Sequence, residues 1–198
     1  MTAPDHDRKG DEMARIDYPE RAGLPPELRT LLEQLPKKRH PPIDMLAHSP
    51  ALAEGFMRVA KAQFTEIELP PRRRELLILT VAHSSDCEYE YRQHVAASRA
   101  AGVEDEVREA IWDGSLEPAT LADDDRALLA FVGAILASPR VSDAVLEAAR
   151  AHLSDREVVE VLHLVGWYWA LGRLCTVLDL EIEEAQDQSN INAVADLP

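Results

Sequence analysis

The stretch from Glu75 to Gly102, ELLILTVAHSSDCEYEYRQHVAASRAAG, decides how the rest of the chain is read. After Glu75 its first half is apolar almost all round: Leu76, Leu77, Ile78, Leu79, Val81 and Ala82. That pattern predicts a buried helix over Arg72–His83, and a carboxylate at the start of a buried helix is rarely idle. Ser84, Ser85 and Asp86 then interrupt the pattern and offer N-cap side chains for a second helix. This second helix takes Cys87 into its first turn and runs to Gly102, a residue suited to a left-handed C-terminal cap.

The reactive side chains of the second helix fall in register. Cys87, Glu90 and His94 stand at i, i+3 and i+7, which predicts one shared face. The helix N-terminus favours a thiolate at Cys87, while Asp86 opposes that shift. Glu90, one turn before His94, is placed to orient its imidazole. Tyr91, beside this face, and His83, at the end of the first helix, are candidate substrate-binding residues. Taken singly, each feature has a plain structural explanation: a core thiol, an exposed i,i+4 pair, a solvated helix start. Together, Glu75, Cys87, Glu90 and His94 offer proton donors and acceptors in separate environments, as acid–base catalysis requires.

On these residues the chain resembles the carboxymuconolactone decarboxylase family, which includes the AhpD-like alkylhydroperoxidases. The matching segments are RRELLILTVA, CEYEYRQH and AASRAAG. Further similarity lies in ARIDYP from Ala14, LPPE from Leu24, MLAHSP from Met45, DREVVE from Asp155 and LVGWY from Leu164. The resemblance therefore extends over about residues 14 to 185. The family pattern is a Glu, eleven residues, Cys-x-x-Cys, three residues and a His. Glu75, Cys87 and His94 match it, and Glu90 stands where the peroxidase-type members carry their second cysteine. A Cys-x-x-Cys pair cycles as a local disulfide, and Cys-x-x-Glu does not. The resemblance implies an AhpD-like helical fold, assembly into trimers or hexamers, and, on the decarboxylase-like side, no metal and no organic cofactor.

Around this centre the chain reads as helices joined by Pro- and Gly-marked turns. Residues 1–13 are polar and are expected to be a disordered tail with no signal-peptide core. One helical domain is expected over 14–185, with an arm and first helices over 14–70 and a core over 71–185. Residues 186–198 form an acidic tail. Leu28, Leu31, Leu32 and Leu35 mark an early helix, and Leu52, Phe56, Val59, Ala60 and Phe64 mark another. His48 precedes the latter and is a weaker site candidate. The run Lys37-Lys38-Arg39-His40 reads as a solvated loop. Arg72-Arg73-Arg74 opposes the helix dipole at its start and calls for solvent, acidic neighbours or a partner subunit. Asp123-Asp124-Asp125 opens a helix to Ala137, Ser142 caps the next, and Ser154 with Glu157 forms a capping box. The last long helix, from Asp155 to about Leu178, shows little polar face, which predicts a central or subunit-covered position. Cys175 on this helix reads as a core residue.

A net charge of −15 over 198 residues argues against nucleic acid and anionic membrane surfaces as partners. Two cysteines are too few for a secreted disulfide scaffold, and the cytoplasm is expected. With no strand alternation and no phosphate-binding loop, the fold class is all-α and bundle-like. The expected function is cofactor-independent proton transfer on a small carboxylate or lactone. A thiol peroxidase using Cys87, with its sulfenic acid resolved by an external thiol or by Cys175, is the alternative. A non-catalytic oligomeric binding protein is the third reading.

Overall fold

The structure, a computed structural model, describes residues 14–35, 40–117, 120–182 and 195–196. The tail expected over 1–13, most of that over 186–198, and Lys37, Lys38 and Arg39 lie outside the described residues. Among those described there are nine α-helices and no strand: α1 (Pro26–Glu33), α2 (Pro41–Leu46), α3 (Pro50–Thr65), α4 (Pro71–Ser84), α5 (Glu88–Ala100), α6 (Asp105–Trp112), α7 (Asp123–Ala137), α8 (Asp143–Arg150) and α9 (Asp155–Val177). Among the described residues, no helix is long and apolar enough to cross a membrane.

Proline sets several of the starts. Pro26, Pro41, Pro50 and Pro71 each open a helix, where a fixed φ is preorganised and the missing N–H costs nothing. Two caps read from sequence are present. Ser142 Oγ accepts from Val145 N, and Ser154 and Glu157 form a reciprocal capping box. Gly102 follows α5 with φ 84°, the left-handed conformation expected of it.

α4 is the hub. It packs on α5, α7, α9 and α6, and Leu76, Leu77, Ile78, Leu79 and Val81 are fully buried. The three arginines at its start are not left to solvent. Arg72 pairs with Asp125 (3.0 Å) and Glu104 (2.9 Å), and Arg73 with Asp124 (2.6 Å). Arg74 reaches Glu75 (3.2 Å) and lies over the Phe64 ring, 4.5 Å from its centroid. The acids that favour the start of α7 therefore also neutralise the start of α4. Half-exposed pairs of this kind contribute ~0–1 kcal/mol each, so they align the two helices more than they stabilise them. Burial of the apolar side chains of α4 contributes far more to holding it in place.

Two expectations need correction. Cys87 is the N-cap of α5 and does not lie in its first turn. The serines that were to cap α5 do not: Ser85 Oγ turns back to the carbonyls of Val81 (2.8 Å) and Ala82 (3.2 Å), and Asp86 takes φ 52° in the connecting turn. Within the single chain, one face of α9 packs on the core and another is left uncovered. Val161, Leu164, Val165, Tyr168, Leu171 and Cys175 face the core, while Val159, Leu162, Trp169 and Val177 are exposed.

Candidate active site

The site is built where α4, α5 and α9 meet. Glu75 lies one turn into α4 and has no exposed surface, so its carboxylate is held entirely by protein groups. His94, seven residues into α5, donates from Nδ1 to Glu75 Oε2 at 2.8 Å. This bond fixes the tautomer of the neutral ring and leaves Nε2 facing the other way. Arg74 supports the opposite carboxylate oxygen of Glu75. The expected orienting role of Glu90 thus belongs to Glu75. Glu90 Oε2 stands 3.8 Å from His94 Nε2, too long for a direct hydrogen bond.

His94 Nε2 and Glu90 share a cavity of about 110 Å³. An engineered cavity of ~150 Å³ is known to admit benzene, which sets the scale of a ligand here. Its far walls come from α3 and α9. Phe56 and Trp167 stack at 4.3 Å, and the Tyr168 ring meets His94 edge-on at 5.5 Å. Gln63 lies in the wall, buried, with neither end of its amide in a hydrogen bond of normal geometry. Its polar neighbour is Tyr168, whose hydroxyl is held protonated chiefly by burial. Beside its contact with the Tyr168 hydroxyl, the Gln63 amide keeps donor and acceptor capacity for a bound molecule.

The electrostatics separate the two facing groups. Burial pushes the Glu90 carboxyl up to about 8, with His94 pulling the other way, so at neutral pH it holds a proton. Burial alone would lower His94, but the charge and hydrogen bond of Glu75, with the charge of Glu90, outweigh it and raise the imidazole above its ordinary range. A buried acid and a buried base, both shifted upward, face one largely apolar cavity.

The remaining predicted residues are placed elsewhere. Cys87 is 1 % exposed and does not line the cavity; it packs beneath it against α9. Tyr91 stacks on Trp112 (4.5 Å) in a separate cluster with Leu76, Leu79 and Ile111. His83 Nδ1 bonds the carbonyl of Trp112 at 2.8 Å, and His48 Nε2 that of Asp17 at 2.8 Å. Neither Tyr91 nor His83 reaches the cavity. Gln63 was not singled out from sequence, although a signal existed: it shares the buried face of α3 with Phe56 and Ala60, at i+7 and i+3. Among the described residues, no group of three or more His, Cys, Asp or Glu side chains could hold a metal ion.

Residues 50–131 match the carboxymuconolactone decarboxylase family, a span that holds Glu75, Cys87, Glu90 and His94. No curated protein matches the chain. Among solved structures, the AhpD core of a peroxidase-related protein from Ralstonia eutropha JMP134 is 21% identical, with TM-score 0.72, covering 96% of this chain and 100% of that one. A peroxidase-related protein from Silicibacter sp. TM1040 is 19% identical, with TM-score 0.72, covering 89% and 95%. The debrominase Bmp8 is 16% identical, with TM-score 0.63, covering 85% and 92%. At such identities these likenesses establish the fold.

Proposed function

With residues 50–131 matching the carboxymuconolactone decarboxylase family and the chain folded as an AhpD-like helical protein, we propose that it is an enzyme of proton transfer on a small, flat lactone or carboxylate. The observation that carries this reading is the position of His94 Nε2 and Glu90 on one cavity wall, with Glu75 fixing the imidazole from behind. In a decarboxylation, the bond to the carboxylate breaks and carbon dioxide leaves. The electron pair enters the conjugated carbonyl system, and a proton is delivered to carbon. Glu90, protonated at neutral pH, is the donor, and His94 returns the proton to it. The Gln63 amide holds the carbonyl or hydroxyl of the ring, and Phe56 and Trp167 bound its faces. The reaction uses side chains of this chain and no organic cofactor.

The test is carbon dioxide release from a panel of small carboxylactones by wild-type and two variants. His94→Gln keeps size and hydrogen bonding but not titration, and the rate is expected to fall by ~10²–10⁴. Cys87→Ser is expected to retain most of it. Equal, severe losses in both variants would transfer the chemistry to the thiol.

One observation favours a second reading, a thiol peroxidase. The Cys87 thiol is held below its ordinary range, first by a hydrogen bond with Cys175 and then, against burial, by the N–H groups of Glu90 and Tyr89. A thiolate at this position attacks peroxides, and peroxide consumption lost in Cys87→Ser is its signature.

A further inference from the structure

Two thiols far apart in the chain meet between the α4–α5 turn and the second half of α9. Cys87 is the N-cap residue of α5, at the positive end of its dipole. Opposite it α9 presents Gly172. A Cβ at that position would stand 2.8 Å from Ser85 Oγ and 3.5 Å from Cys87 Cβ, so the missing side chain is what lets the helix come this close. Cys175 follows one turn later on the same face. Helical side chains lean back over the preceding turn, which carries its thiol toward Cys87. The two thiols lie in one buried cluster, and neither is in a disulfide. The proton relay at Glu75, His94 and Glu90 makes no use of them.

We infer that Cys87 and Cys175 form a reversible dithiol–disulfide pair across α5 and α9, with Cys175 supplying the second thiol that position 90 does not. The inference rests on the thiol reading above for its oxidant, a peroxide, and is independent of the relay. In the first step the Cys87 thiolate attacks the peroxide: an S–O bond forms, the O–O bond breaks, and the departing alkoxide or hydroxide takes a proton from water. In the second, the Cys175 sulfur attacks the Cys87 sulfenic acid. An S–S bond forms, the S–O bond breaks, and hydroxide leaves with the Cys175 proton as water. One peroxide is reduced to alcohol or water, two thiols are oxidised, and an external dithiol reverses the change. The roles follow from the surroundings. Cys87 gains the first-turn N–H groups and becomes the more acidic thiol. Cys175, raised by its bond to Cys87 and by burial, keeps its proton until it attacks.

The full-length protein is treated with hydrogen peroxide, quenched in acid, alkylated under denaturing conditions and weighed intact. The expected wild-type product has lost two hydrogens, takes up no alkylating agent, and yields a linked peptide pair containing Cys87 and Cys175. Dithiothreitol restores two alkylatable thiols. In Cys175→Ser, Cys87 accumulates sulfenic and sulfinic acid instead, and in Cys87→Ser, Cys175 remains a free thiol. Circular dichroism of both variants confirms that they are folded. A wild-type protein whose Cys87 gains oxygen while Cys175 stays alkylatable overturns the pairing and leaves the peroxidase reading intact. A protein in which neither thiol changes overturns both.

Discussion

At the scale of single residues, the division of labour between two glutamates sets the chemistry. Glu75 is fully buried, yet it accepts from His94 and is flanked by Arg74, so its negative charge is satisfied. Glu90 faces an apolar cavity, and burial lifts its pKa from 4.5 to about 8. Such a group binds its proton more tightly folded than unfolded. Its protonation therefore supports the native state below the unfolded pKa, and that support is lost as pH rises from 4.5 through about 8. His94, also raised, acts in the same direction above 6.5. The wild-type melting temperature is expected to fall across this window. Glu90→Gln, which removes the titration, should flatten the curve and gain on the order of a few kcal/mol at its alkaline end. Parallel curves for the two proteins would show that Glu90 titrates normally. Glu75→Gln is expected to return His94 toward its ordinary pKa and to move the acid limb of any pH–rate profile downward. Glu75 and His94 were legible in the sequence, since an acid in an apolar helix and a His at a fixed spacing both mark a site. The exchange of roles between Glu75 and Glu90 was not, because helix register gives a shared face but not the distance to a second helix.

At the scale of elements, the approach of α9 to the α4–α5 turn is the tightest constraint. Gly172 sits against Ser85, whose hydroxyl is already committed to two carbonyls of α4. Gly172→Ala is expected to destabilise the fold by ~1–3 kcal/mol, the usual cost of overpacking. Adding Ser85→Gly should recover part of that loss, as a denaturant double-mutant cycle would show. Purely additive losses would mean that the two residues do not press on each other. The arginine triplet of α4 illustrates what patterning conveys. Its mismatch with the helix dipole signalled acidic partners, and α7 supplies them at Asp124 and Asp125. Cys175 entered the sequence reading only as an alternative resolving thiol, since nothing near it departs from a core helix and helix periodicity does not place it beside Cys87.

At the scale of the whole molecule, α9 divides into a face that completes the core and a face that does not. Val159 is 64 % exposed and Trp169 47 %, and Leu162 and Val177 continue the stripe along the same side. Apolar patches of this kind on a folded chain mark association sites. We predict a homo-oligomer assembled through this stripe, with Trp169→Glu shifting light scattering toward the 22.0 kDa protomer. A wild-type protein already monomeric at micromolar concentration would contradict it. The all-α architecture was readable from periodicity, because apolar positions at helical spacing, proline starts and capping residues all agree. The orientation of α9 was not, since a helix with apolar residues all round names no inner face. Only the packing of α4 and α7 decides it.

The central claim is that His94 presents a proton-accepting Nε2 to the cavity while Glu75 holds Nδ1–H. Nitrogen-15 NMR of histidine-labelled protein, titrated from acid to alkaline pH with His94→Gln to assign the signal, tests it without a substrate. The predicted result is an Nδ1 that stays protonated throughout and an Nε2 that titrates above 6.5. An imidazole that carries its neutral-state proton on Nε2, or that loses its charge below 6.5, would contradict the account.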